Sequence, residues 1–484
     1  MHGSKLILLL KTLNKKEIKD FQLFAGASFF NKNEKLQVFL EHLSGFHPQF
    51  EQEQLEKTLF FKKFYPKETY SDQKIRYLLS DLTKLLEDFI AYQEYQKDAF
   101  RKKYHLASGL LERNQDKFFL QELESLQQMN AGNQMRDHAY YFNQQQISEI
   151  SYEHTSEKRN RAFDSSLQAL IDNLEIAYLV KGLRFYCEMI NRRNILSVEY
   201  NLRFFDQVMQ YIRQGQFDDI PAIRIYKMIY ISLTEAGNHE NYLALLDELA
   251  KSSQLFSSRE LRGMYVFAQN DCIRRINRGD KGALNEIFFL YQTMVSQGLI
   301  YEGQFVSQPD FKNIVTTGLR LGEVAWVSDF IARYKEKLNP EYSENAFTYS
   351  MAWVHFARKE YDKALRMLLR VEFNDVYYHL DSKSLLMKVY FELDEYEAFL
   401  SLTDAFKVYL KRNRFISESQ RTTYSNFIKL IYKLIRVKLG KETMGLPIHQ
   451  EILSTKPAAD LAWLEQKSIE LLTKHRIKLP EDFS

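Results

Sequence analysis

The sequence predicts an all-α chain: a helical head, a long array of antiparallel helix hairpins and a C-terminal helical cap. Three observations carry that prediction. Glycine and proline number only 17 and 8 in 484 residues, whereas sandwiches, barrels and propellers need turn residues far more often. Apolar residues recur three and four apart along most of the chain, the period of one helix face, and alternation of apolar and polar residues is sustained nowhere. The length, set against ~100 to 200 residues per domain, requires several domains or one elongated array. With 45% apolar and 27% charged residues the chain has ample material for a buried core.

Residues 1 to about 95 form the head, with Phe29-Phe30-Asn31 and Phe60-Phe61 near helix ends and Tyr65-Pro66 as a break. After the break, Ile75, Leu78, Leu79, Leu82, Leu85, Leu86 and Phe89 share one face of a long helix, and Ser71 and Asp72 sit where its N-cap belongs. From 96 to 439 the pattern settles into helix hairpins. Tyr242, Leu245, Leu246 and Leu249 mark one helix, Leu284 to Val295 a second, and Val327, Phe330, Ile331 and Tyr334 a third. The connections are short: Gly215 to Asp219, Gly237-Asn238-His239, Gly279-Asp280-Lys281-Gly282 and Asn339-Pro340. Glycine accepts the left-handed position that ends a helix, and proline bars its continuation. Gly440 to Pro447 is a second break. Residues 440–484 then carry two short helices, around Ile448 to Leu453 and from Asp460 to Leu472, which would cover the last apolar face of the array.

Between about 308 and 410 a fixed period emerges. Ala364, Leu368 and Val371 are followed 34 residues later by Ala398, Leu402 and Ala405. Ala352 and Ala364 fall where two helices of a pair would cross closely, Tyr361 stands at the turn, and Asn339-Pro340 closes the preceding unit. This stretch, about a fifth of the chain, resembles the tetratricopeptide repeat family in degenerate form. Leu386 stands in the next unit where Ala352 stood, Glu395 where Tyr361 stood, and Ser328 replaces an expected alanine. The resemblance implies a right-handed superhelix of helix pairs, a tetratricopeptide-like α-solenoid. On that register Tyr349, Trp353 and Phe356 of one unit and Lys383, Met387 and Tyr390 of the next line the inner curve, and they are the expected partner-binding residues.

Motifs with a chemical mechanism are absent. No Gly-x-Gly-x-x-Gly, Gly-Lys-Ser/Thr, Cys-x-x-Cys, His-Glu-x-x-His or Gly-x-Ser-x-Gly occurs, so no cofactor, metal or catalytic residue is expected. His42 and His47 read as a solvated pair and not as ligands, and Cys187 as a packed thiol and not as a nucleophile. Asp218-Asp219 before Ile220-Pro221 reads as a helix cap. Arg274, Arg275 and Arg278, with Arg262 and Lys281 nearby and Asp271 and Asp280 flanking, read as a solvated helix end and not as a phosphate patch. A net charge of +3 with interspersed signs argues against nucleic acid as a partner. The apolar run Leu6 to Leu10 is shorter than the ~7 to 15 residues of a secretory signal. No run approaches the ~18 apolar residues of a spanning helix, and two cysteines suit a reducing compartment, so a cytoplasmic protein without a membrane partner is expected. The expected work is non-catalytic binding of a protein or peptide along the inner curve. The first rival is a regulator with an effector head, similar to peptide-responsive bacterial tetratricopeptide regulators; the second is an enzyme whose site is assembled between distant hairpins.

Overall fold

A computed structural model describes residues 1–51, 53–157, 165–196, 199–235, 239–277, 280, 282–371, 376–414, 416–443, 445–475 and 477. Helix accounts for 77% of the structure, so the all-α expectation holds. Strand among the described residues is confined to one antiparallel hairpin, β1 (Tyr301–Glu302) with β2 (Phe305–Val306). The chain divides into two compact units.

The first unit comprises Met1–Gln134 and His138–Tyr178. It holds α1 (Lys5–Leu10), α2 (Lys15–Gly26), α3 (Glu34–Ser44), α4 (Lys57–Phe64), α5 (Asp72–Lys97), α6 (Ala99–Glu112), α7 (Asp116–Ala131), α8 (His138–Glu157) and the start of α9 (Ser165–Leu196). All seven residues of the predicted stripe on α5 are buried. Around them α1 to α4 close a single core running from Leu6 to Phe89, with Phe21 and Phe89 rings 5.2 Å apart. Truncating a residue such as Leu82 to Ala would cost ~2–5 kcal/mol through the lost transfer energy and the cavity left behind. Ser71 occupies the N-cap of α5 but its side chain makes no capping bond; Asp72, the next residue, instead pairs with Lys57 at 2.7 Å and Arg76 at 2.9 Å. A second cluster, from Phe100 to Ile150, joins α6, α7 and α8 within the same unit.

The second unit comprises Met135–Asp137 and the chain from Leu179 onward. After the remainder of α9 come α10 (Phe205–Ile212), α11 (Pro221–Thr234), α12 (His239–Ser252), α13 (Ser258–Asn277), α14 (Ala283–Ser296), α15 (Gln308–Arg320), α16 (Val324–Tyr334), α17 (Pro340–Ala357), α18 (Tyr361–Leu368), α19 (Val376–Leu393), α20 (Tyr396–Arg412), α21 (Glu418–Lys438), α22 (Leu446–Ser454) and α23 (Leu461–Lys474). From α13 to α21 each helix packs on its successor, and α15 also packs on α17, α17 on α19, and α19 on α21.

The hairpin turns repeat one another. Gly322, Lys359 and Asp394 all take the left-handed conformation, at φ of 80°, 61° and 61°. In each case the next N–H reaches back five residues: Glu323 to the Gly318 carbonyl at 2.9 Å, Glu360 to His355 at 2.9 Å and Glu395 to Tyr390 at 3.0 Å. This closure satisfies carbonyls that the helix end leaves open. Small residues sit where the helices cross. Ala352 and Ala364 are fully buried in one cluster with Leu368, Leu385 and Val389, and a Cβ on Gly318 would lie 2.5 Å from Val327 Cγ2 and 2.9 Å from the Phe288 ring.

Two details differ from the sequence reading. Pro221 begins α11 as expected, but the N-cap is Ile220, so neither Asp218 nor Asp219 caps the helix. Asp218 instead accepts from Lys227 Nζ at 3.1 Å and, through its carbonyl, from Arg224 at 2.6 Å. The turn residues Gly237, Asn238, Gly279 and Lys281 lie outside the described residues, as does Arg278. At the C-terminal end, α22 and α23 bury Ile448, Ile452, Leu464, Leu471 and Leu472 in a cluster shared with α19, α20 and α21.

Candidate functional site

The six residues expected to bind a partner separate into three groups. Tyr349 on α17 and Met387 on α19 are fully buried. Tyr349 meets Tyr378 edge-on at 4.9 Å, and burial pushes its phenol well above the usual range; Met387 belongs to the core shared with α20 to α23. Lys383 and Tyr390 are half-buried, and burial lowers the Lys383 ammonium and raises the Tyr390 phenol. Trp353 and Phe356 line a cavity of about 300 Å³.

That cavity is walled by α14, α15, α17, α19 and α23, with Asp460 just before α23. Leu319, Trp353, Phe356 and Trp463 supply its apolar surface, and Arg320, Lys388, Asp460 and Gln466 its polar one. Lys388 stands one position past Met387, inside an apolar run on α19, and is only 1% exposed. Its ammonium lies 4.4 Å from the centre of the Trp353 ring and 5.3 Å from that of Phe356. An ammonium over an aromatic face is attracted by the ring's negative potential, more strongly where water is excluded. Nζ also donates to Asp460 Oδ1 at 2.8 Å, and Ser384 Oγ donates to Asp460 Oδ2 at 2.6 Å. Asp460 holds a left-handed conformation, φ 48°, immediately before α23.

Burial disfavours charge on both partners. It pushes the Lys388 ammonium below its ordinary range, against the pull of Asp460. On Asp460 burial works upward, but Lys388, Ser384 and Arg320 outweigh it and hold the carboxyl below the usual carboxylate range. We therefore take Asp460 as ionised and the contact as an ion pair between a buried lysine and a carboxylate 23% exposed. Further contacts hold α23 on α19: Trp463 packs edge-on against Phe391 at 5.3 Å, and Lys467 pairs with Glu392 at 2.9 Å. Arg320, the last residue of α15, is exposed and meets no hydrogen-bond or ion-pair partner among the described residues.

The other candidates resolve into structural roles. Arg274 donates to Asp271 at 2.7 Å, and Arg275 is shared between Asp280 and Glu286. Arg262 bridges Glu302 at 2.6 Å and Asp310 at 2.8 Å. These guanidiniums are engaged by the chain's own acids in largely buried settings, not at a solvated helix end. Cys187 and Cys272 are free and buried; burial raises both thiols, Cys272 to about 12. His47 Nε2 bonds the Leu13 carbonyl at 2.7 Å and His42 Nδ1 the Lys63 ammonium at 2.9 Å. Among the described residues no group of three or more His, Cys, Asp or Glu is placed to hold a metal. No described helix is long and apolar enough to cross a membrane.

Sequence reasoning found Trp353 and Phe356 but missed Lys388, Asp460 and Arg320. A lysine within the run Leu385 to Phe391 is the one local signal that could have pointed there. Chemically, the site offers an aromatic-walled hollow and, beside the Lys388–Asp460 pair, a guanidinium with no hydrogen-bond or ion-pair partner among the described residues. That combination suits a ligand with an apolar body and an anionic group. Searches against protein-family models, curated proteins and solved structures find no match to this chain.

Proposed function

We propose that the second unit is a non-catalytic receptor for a partner protein or peptide, built as a tetratricopeptide-like superhelix of helix pairs. The cavity between α14, α15, α17, α19 and α23 is its recognition point. The observation that carries the reading is the cavity itself, with Trp353, Phe356 and Trp463 on its walls and Arg320 without a hydrogen-bond or ion-pair partner among the described residues. An apolar side chain of the partner enters the hollow, and a carboxylate, from an acidic residue or a chain end, takes the Arg320 fork. The repeated turn closures and the buried Ala352–Ala364 crossing support the repeat reading. The reduced, buried cysteines suit work in the cytoplasm.

One observation favours a regulator as the second reading. The first unit exposes Leu23 at 74% and Phe29 at 87%, with Phe30 and Tyr92 beside them, an apolar cluster of the kind that marks an interaction surface. The test is to isolate the partner by affinity purification of the tagged chain and titrate it against wild type and Trp353→Ala. The reading expects a loss of more than ~1 kcal/mol in binding, the threshold for an interface anchor. Unchanged affinity would place the partner elsewhere.

A further inference from the structure

The small overall charge conceals one strongly biased segment. Between Lys407 and Lys441 there are ten Lys or Arg and a single acid, Glu418, a local excess of nine in a chain whose net charge is +3. Charge is therefore not interspersed throughout, as the whole-chain balance suggests. Some of these cations are structural: Arg421 donates to the carbonyls of Lys411 and Ile416 at 3.3 Å, closing the turn between α20 and α21. Others line a groove of about 650 Å³ between the same two helices.

In that groove Lys429, Lys433 and Arg436 follow one another at spacings of four and three, so they share one face of α21 over ~10 Å of helix. Lys407 comes from α20, its ammonium 5.7 Å from the Tyr432 ring centre. The chain's own carboxylates already show what this stripe takes. Glu451 pairs with Lys429 at 2.9 Å and also with Lys433, and Glu442 pairs with Arg436 at 3.2 Å. The two lysines hold the Glu451 carboxyl below its ordinary range. Each ammonium has three donors and each guanidinium five, so one carboxylate partner leaves capacity at every position. Among the described residues the one acid that Lys407 pairs with is Asp404, at 3.9 Å and with both side chains largely exposed, a pairing of little strength.

We propose that the α20–α21 groove binds an acidic protein segment, whose carboxylates spaced along a helix or extended strand add to Lys407, Lys429, Lys433 and Arg436. The spacing argues for carboxylates in a row over a single phosphate, because the cations are strung along the helix and do not converge. Concavity argues against a flat lipid surface. The covering of Tyr432 by Lys407 argues against single-stranded nucleic acid, which needs an open aromatic face for stacking. The inference does not rest on the inner cavity, since it shares no residue with it.

Fluorescence anisotropy on the full chain tests it with a labelled peptide carrying Glu at helical spacings of four and three. Its Gln counterpart, a labelled single-stranded oligonucleotide and phosphatidylserine vesicles serve as competing probes. The Glu peptide should bind with affinity that falls as salt rises, and the Gln peptide should bind about tenfold more weakly or not at all. Lys407→Glu/Lys429→Glu, both at exposed positions, should weaken the Glu peptide about tenfold or more. Glu451→Gln, which releases Lys429 and Lys433, should tighten it, and Arg320→Ala should leave it unchanged. Equal binding of the Glu and Gln peptides, or wild-type binding by the double variant, would overturn the proposal. So would a loss on Arg320→Ala, or tighter binding of the oligonucleotide or vesicles than of the Glu peptide.

Discussion

Replacing Asp460 by Asn removes the charge that neutralises Lys388 while keeping the shape of the site. Asn tolerates the left-handed backbone at this position and can still accept from Ser384. Lys388 would be left at 1% exposure with two aromatic rings and no anion in contact, so it must either hold its charge uncompensated or give up its proton to a site that already disfavours the ammonium. Removing one member of a buried pair costs ~3–5 kcal/mol, because the survivor stays desolvated without compensation. Lys388→Met should cost less, because the Asp460 carboxylate left behind is 23% exposed and keeps the Ser384 hydrogen bond and the nearby Arg320 charge. The double variant Lys388→Met/Asp460→Asn buries no uncompensated charge and should lose well under the sum, with a coupling of ~2 kcal/mol or more. Urea unfolding followed by tryptophan fluorescence is the assay. All three tryptophans, Trp326, Trp353 and Trp463, lie in the second unit, so the signal reports the unit that contains the pair. Single and double variants that add within ~0.5 kcal/mol would refute the coupled ion pair.

Other outcomes follow from packing and burial. Gly318→Ala gains ~0.5–1 kcal/mol of helix propensity but forces Val327 and Phe288 aside, an overpacking cost of ~1–3 kcal/mol, so the denaturation midpoint should fall; a rise would contradict the crossing geometry. His379, stacked 3.9 Å from Tyr409, is lowered by burial and by Lys383 from 6.5 to about 4. Its neutral form is favoured in the fold, so stability should be full above pH 6.5 and decline as pH falls from there towards 4. His379→Phe should flatten that limb, and an unaltered pH profile would refute the assignment. Cys187 and Cys272, buried and raised, should react with a thiol reagent only as the chain unfolds; rapid labelling of the native protein would contradict this.

What was legible in the sequence was local. The stripe from Ile75 to Phe89 could be read completely because amphipathicity belongs to one helix and its burial follows directly. The turns at Gly322, Lys359 and Asp394 were not among those read: a lone glycine marks the first, and Lys359 and Asp394 take the same left-handed conformation without the residue that usually announces it. At Asp218-Asp219 two signals competed: proline fixed the first helical residue, and the cap position fell to Ile220. The candidate site was only partly visible because it is made by long-range packing. Helical spacing identified a face but not what covers it, so Tyr349 and Met387 proved to be core, enclosed by Tyr378 and by α20 to α23. The pairing of Lys388 with Asp460 joins distant parts of the chain, and no periodicity encodes it. The basic segment from Lys407 was hidden by averaging charge over the whole length.

The most direct test of the receptor account is Arg320→Ala, measured for both partner affinity and unfolding midpoint. Arg320 is exposed at the end of α15, with no hydrogen-bond or ion-pair partner among the described residues and only a longer-range charge effect on Asp460, so its loss removes a ligand contact and little structure. The account predicts a midpoint within ~0.5 kcal/mol of wild type and an affinity for the isolated partner weakened by ~1.5–3 kcal/mol, the range of a charged hydrogen bond. Full affinity in a stably folded Arg320→Ala chain would contradict it.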